Sequence, residues 1–147
     1  MQIQQQLKIS ANQFSQHILN SIQYELKEYG QVNVDKDHIR AGITYKKPLT
    51  TQMKQTDHVT VEITKLEKSP FEYEATFDST QGRNTIRYSA KDLNENECLV
   101  TYEEDFVGKD TMKKLNHKLM RVFYKGRSKR RIHYLLNAIE DHVLKGE

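Results

Sequence analysis

The sequence predicts an α+β fold in which an antiparallel sheet is covered by a long C-terminal helix, with a short helical pair after the first strand. Three observations predict it. Between Ile43 and Phe106, apolar residues recur at every second position in runs separated by turn signals, the period of half-buried strands. Before that run, Ser10 to Gly30 carries a capping box and an apolar stripe at helical spacing. After it, Lys109 to Lys145 returns to spacings of three and four and holds the densest positive charge.

The chain opens on a strand. From Gln2 to Ile9, Ile3, Leu7 and Ile9 fall on one face, with glutamines and Lys8 on the other. Ser10 followed by Gln13 then forms the capping box. The serine hydroxyl can accept from the amide of the third helical residue while the glutamine reaches back. The stripe of this helix is Phe14, Ile18, Ile22, Leu26 and Tyr29, and Gly30 is its expected stop. Asp35 to Ala41 is expected to add a short second helix ending at Gly42.

Ile43 and Tyr45 lead a short strand that Pro48 is expected to end, and Leu49 to Thr56 reads as an exposed polar loop. Val59, Val61 and Ile63 mark the next strand, closed by a turn at Glu67 to Pro70. Phe71, Tyr73, Ala75 and Phe77 then alternate with Glu72, Glu74, Thr76 and Asp78. A turn near Ser79 to Gly82 precedes Ile86 and Tyr88, which alternate with Thr85, Arg87 and Ser89. After a turn at Leu93 to Asn96, Cys98, Val100, Tyr102, Glu104 and Phe106 share one face.

The closing helix carries two stripes, Met112, Leu115, Leu119, Val122 and Phe123, then Ile132, Leu135, Leu136, Ile139 and Val143. At about 100° per residue, Leu115, Val122 and Phe123 lie within about 60° of Leu119, whereas Ile132, Leu136 and Ile139 fall near 200–260°. A straight helix would expose one stripe. Gly126 lies between them and costs roughly 1 kcal/mol relative to Ala in a helix, so a kink between Lys125 and Lys129, or a second partner surface such as a homodimer, is expected.

Length and composition bound the rest. A chain of 147 residues is expected to form one domain, 1–147, able to bury about 68–70% of its unfolded surface without a disulfide or metal. Its single cysteine, Cys98, fits a reducing compartment. No run approaches the ~20 apolar residues of a membrane span, and the N-terminus lacks the pattern of a secretory signal. A cytoplasmic location is therefore expected. The net charge of +3 conceals a block pattern: Thr56 to Val107 holds five basic and twelve acidic residues, Lys109 to Arg131 ten basic and one acidic. Such blocks can steer an anionic partner, face each other, or solvate two outer surfaces.

The order of strand, helical pair, antiparallel meander and long helix resembles the START-like or SRPBCC helix-grip superfamily. That likeness implies a curved antiparallel sheet of six or seven strands wrapped around the C-terminal helix, with a cavity between them. The chain is also similar to a small bacterial family of uncharacterised proteins with this fold. The similarity is carried by Ile43-Thr-Tyr-Lys-Lys47, Gly82-Arg-Asn-Thr-Ile-Arg-Tyr88, Thr101-Tyr-Glu-Glu-Asp-Phe106 and Ser128-Lys-Arg-Arg-Ile132. It implies a fold and a binding class, and it supplies no catalytic residues.

The inward strand positions carry Tyr45, Tyr73, Tyr88 and Tyr102. Each ring either lines a cavity suited to an amphipathic ligand or packs in the core with its hydroxyl satisfied. Parity places Glu104 among Val100, Tyr102 and Phe106, where a carboxylate is costly unless paired. It is either an acid, base or ligand anchor facing a cavity, or an end-of-strand residue turned out to the rim. Phe71, Phe77 and Phe106 would form the apolar wall.

The six histidines show no metal-ligand spacing, no phosphate loop is present, and neither metal nor cofactor is expected. Lys125, Arg127, Lys129, Arg130 and Arg131 form a basic patch. Nucleic-acid binding is not expected, because Tyr124 and Tyr134 flank the patch without interleaving through it. The reading that stands first is a binding module for a small hydrophobic or amphipathic ligand. The alternatives are an enzyme of the cyclase, hydratase or hydrolase kind on the same fold, and an interaction protein using its basic helix on an acidic partner.

Overall fold

The first strand of the chain pairs with the last, and that pairing sets the architecture. In the computed structural model, which describes residues 1–50, 56–108 and 129–146, six strands form one antiparallel sheet. They are β1 (Gln2–Leu7), β2 (Thr44–Thr50), β3 (Thr56–Lys68), β4 (Phe71–Ser79), β5 (Gly82–Asn94) and β6 (Glu97–Gly108). Their spatial order is β1-β6-β5-β4-β3-β2, so β2 to β6 form a meander and β1 closes its far edge. Helix α1 (Ala11–Glu28) and the C-terminal helix α2 (residues 129–144) cover the concave face.

Helix α1 starts where the capping box puts it. Ser10 Oγ accepts from the Gln13 amide at 3.1 Å, and Gln13 Oε1 accepts from the Ser10 amide at 2.9 Å. Phe14, Ile18, Ile22 and Leu26 are buried, as their spacing requires, and Ser15 and Leu19 widen the face. Tyr29, the last member of the expected stripe, is instead exposed at the helix end. The left-handed residue that turns the chain is Gln31 (φ 54°), not Gly30. Gly30 is needed for a different reason: a Cβ there would lie 2.9 Å from the Leu26 carbonyl oxygen. The expected second helix is only a 3-10 turn at Lys36–His38, and none of its residues is buried to hold a longer one.

Strand β2 runs through Pro48 instead of ending there. The proline sits on an edge strand, whose outer side needs no amide donor. Leu49, Thr50 and Thr56, expected in a loop, belong to the β2–β3 pairing, while 51–55 lie outside the described residues. Within β3 the register shifts between Ile63 and Lys65. This bulge changes strand parity, so Leu66 opposes Tyr73 and stays with the apolar set. Strands β4 to β6 alternate as their sequences predict. Gly82 opens β5 opposite Gly108, where a Cβ would meet the Val107 carbonyl oxygen at 2.3 Å.

Ile132, Leu136 and Ile139 of α2 are buried, whereas Leu135 is exposed. The helix is tied to β1 by Gln5, which donates to Asn137 Oδ1 at 2.6 Å and meets His133 Nδ1 at 2.6 Å. It meets α1 where the His17 and His142 rings stack edge to face, 5.3 Å apart. The other stripe, from Met112 to Phe123, and the expected kink at Gly126 lie outside the described residues.

Candidate ligand site on the concave face

Strand pairing builds the site in rows. Tyr73, Tyr88 and Tyr102 stand opposite one another across β4, β5 and β6. Their ring centroids are 6.3 Å and 5.1 Å apart. Phe14 of α1 packs on Tyr88 at 5.8 Å and on Phe71 at 6.1 Å. Phe71 is thereby core beneath α1. Burial pushes the Tyr88 hydroxyl up to about 12, with the Glu104 charge adding to it. Burial also raises Tyr73 and Tyr102 well above the ordinary tyrosine value, followed by the charges of Glu25 and Glu104 respectively. All three rings therefore keep their protons at neutral pH and can act only as neutral hydrogen-bonding groups.

The next row along the strands pairs Ile63, Ala75, Ile86 and Glu104. Glu104 thus faces inward, with its side chain 18% exposed, and no bulge near it turns it out. Asn84 Nδ2 donates to Glu104 Oε1 at 2.7 Å, and Arg131 Nη2 of α2 lies 3.6 Å from Oε2. The Tyr102 hydroxyl faces the same carboxylate. One row further, Asn84 lies between Phe77 and Phe106. Its Oδ1 is buried and has no hydrogen-bond partner among the described residues. A buried acceptor left this way costs about 1–3 kcal/mol.

A second polar group lies toward β2. Glu25 of α1 accepts from the Tyr45 hydroxyl and, at Oε1, from Lys47 Nζ at 3.0 Å. The Lys47 ammonium also lies 5.4 Å from the centroid of the Phe77 ring. Burial, then the hydrogen bond to Glu25, raises the Tyr45 hydroxyl far above its ordinary value. The partner of this tyrosine is a helix side chain, which strand parity alone could not reveal.

Of the residues singled out by sequence, Tyr73, Tyr88, Tyr102 and Glu104 come together, with Phe77 and Phe106 beside them. Tyr45 bonds to Glu25, whose charge also reaches Tyr73, and Tyr45, Tyr73 and Tyr102 are buried in the core with Phe71. Within the basic patch, Arg131 turns to Glu104, while Lys125 and Arg127 lie outside the described residues. Sequence reasoning missed Asn84, Lys47 and Glu25. The first two share parity with Ile86 and Tyr45, and Glu25 follows Ile18 and Ile22 at helical spacing, so each carried a readable signal.

Elsewhere, a groove of about 250 Å³ lies on the convex face, where Lys65 pairs with Glu72, and Arg87 with Glu74 and Glu103. Its charges largely answer one another. Burial, then Asp92, pushes the Cys98 thiol up to about 11, which leaves it a weak nucleophile. Among the described residues, no three His, Cys, Asp or Glu side chains gather as a metal site, and no helix is long and apolar enough to cross a membrane.

A family model described as "Domain of unknown function (DUF3284)" matches residues 1–125. No curated protein matches the chain. Among solved structures, Ara h 8.0201 is similar with a TM-score of 0.64 at 9% identity, covering 99% of this chain and 97% of the other. The Zhui aromatase/cyclase from Streptomyces sp. R1128 gives 0.63 at 9% identity, covering 97% and 94%. TTHA0849 from Thermus thermophilus gives 0.58 at 13% identity, covering 100% and 98%. Likenesses at such identities speak for the fold alone. The fold is START-like, a curved antiparallel sheet gripping a C-terminal helix.

Proposed function

We propose that this chain, which belongs to the DUF3284 family, binds a small hydrophobic or amphipathic ligand between its sheet and its C-terminal helix. The observation that carries this reading is the tyrosine row running into the Glu104–Asn84–Arg131 group. Three adjoining rings, packed tilted and edge to face, offer an apolar floor, and the polar group at their end can fix the orientation of a ligand. Tyr73, Tyr88, Tyr102, Glu104, Phe77 and Phe106 line the site.

Native mass spectrometry of the purified protein beside a denatured sample tests this, together with titration by the apolar dye Nile red. A retained mass in the native spectrum, or saturable dye uptake, is expected. Glu104→Gln should weaken retention or change its pH dependence while preserving the circular dichroism spectrum. Absence of both retained mass and dye uptake would overturn the reading.

The convergence of Asn84, Arg131 and Tyr102 on Glu104 favours a second reading, an enzyme of the cyclase, hydratase or hydrolase kind. Glu104 would accept and return a proton, and Tyr102 would donate a hydrogen bond to a developing oxyanion. Such a role requires that Glu104→Gln abolish conversion of the retained ligand while leaving its binding in place. Binding and conversion lost in proportion would leave only the binding role.

A further inference from the structure

We propose that the inner site takes a ligand bearing a neutral hydroxyl on an apolar body, and that this hydroxyl donates to Asn84 Oδ1. The inference rests on the binding reading above and specifies the chemistry of its polar end. The Asn84 side chain is oriented unambiguously: its amide nitrogen donates to Glu104 Oε1 at 2.7 Å. The reverse orientation would set two acceptors against each other. Oδ1 is therefore directed away from Glu104, and it is buried without a partner among the described residues. Buried amide oxygens ordinarily find a donor.

The surroundings select the kind of donor. An anionic group would bring charge toward the Glu104 carboxylate and offer Asn84 Oδ1 nothing. An ammonium would bring a full charge and three donors to a seat that offers one buried acceptor, because Oδ1 is directed away from the carboxylate. A hydroxyl avoids both conflicts. It donates to Oδ1 and carries no charge into the apolar surroundings. Phe77 and Phe106, which oppose Asn84 in the adjoining strands, supply apolar surface for the body that carries it.

The test compares naphthol, its methyl ether and the corresponding naphthoate, all substituted at the same ring position, as competitors of Nile red at neutral pH. Naphthol is expected to bind at least about tenfold more tightly than the ether, the ratio that recovery of one buried acceptor gives. In Asn84→Leu this ratio should fall toward one. Equal affinity of naphthol and ether for the wild-type protein would overturn the hydroxyl seat and leave the apolar site standing. Naphthoate binding most tightly would overturn it in favour of an anion site made by Arg131. If neither the dye nor any competitor binds, the binding reading falls with it. The wild-type ratio decides the matter even if the Asn84 variant does not fold.

Discussion

Among the described residues, Glu25 and Glu104 both face the concave side of the sheet, and their polar groups are completed to different degrees. Both oxygens of Glu25 are engaged, one by Lys47 at 3.0 Å and one by the Tyr45 hydroxyl. Glu104 accepts from Asn84 at 2.7 Å and also meets the Tyr102 hydroxyl, with Arg131 3.6 Å away, so the gap in its group lies at Asn84. Asn84 keeps a buried acceptor unpartnered among the described residues. A polar group with every valence filled specifies and stiffens a core. One with a spare acceptor has given up stability at the place where a ligand could restore it. The first arrangement fits architecture, and the second fits the ligand site proposed above.

Breaking the closed group should have the larger effect. Glu25→Ala strips the acceptor from Tyr45 and strands the Lys47 ammonium, whose side chain is 24% exposed. Fully buried pairs lose about 3–5 kcal/mol when one partner goes. Partial solvent access should reduce the loss here to about 2 kcal/mol. A urea-denaturation midpoint shift of that size is expected. A loss under about 0.5 kcal/mol, the range of an ordinary surface change, would erase the distinction between the two groups.

At the open group the expectation is a near balance. Asn84→Leu removes the donor to Glu104, a cost, and also removes the orphaned Oδ1, a gain. The two terms are of similar size, so stability should stay within about 1 kcal/mol of wild type in the same urea titration. A loss matching that of Glu25→Ala would make Asn84 a structural residue like the others and remove the asymmetry.

Much of this pattern was legible in the sequence, and the parts that were not share a cause. The capping box at Ser10 and the alternation from Phe71 to Phe106 are local signals, and the structure follows them. Glu104 could be placed by parity because no bulge separates it from Tyr102. Pro48 could not, since its tolerance depends on β2 being an edge, a property of sheet order. The bulge after Ile63 is likewise invisible until β4 is laid beside β3. Arg131 read as one cation in a basic run, because the rotation of α2 against β6 is set by packing between distant elements. Helix α1 and most strands were thus readable, whereas the extent of the 35–41 segment and the contacts between elements were not. The proposed site is made of such contacts.

The smallest expected effect concerns the joint that holds α2, and with it Arg131, over the open group. His17 on α1 and His142 on α2 meet edge to face at 5.3 Å. Burial, then the neighbouring His142, holds His17 below its ordinary value of 6.5. The folded protein therefore binds this proton less readily than the unfolded chain. Above pH 6.5 neither state takes it up and stability is unaffected, whereas below 6.5 the unfolded state gains it first and stability falls. The decline should continue until the pH drops beneath the lowered native value. His17→Gln should flatten the decline between pH 6.5 and acid conditions, as measured by urea midpoints across pH. Because the joint carries Arg131 and not Lys47, acidification should also weaken ligand binding in the wild type before it disturbs the Glu25 group. An unchanged pH profile in His17→Gln would show that α2 is held by its Ile132–Leu136–Ile139 face and its hydrogen bonds to Gln5 and Lys8, independently of the histidine pair.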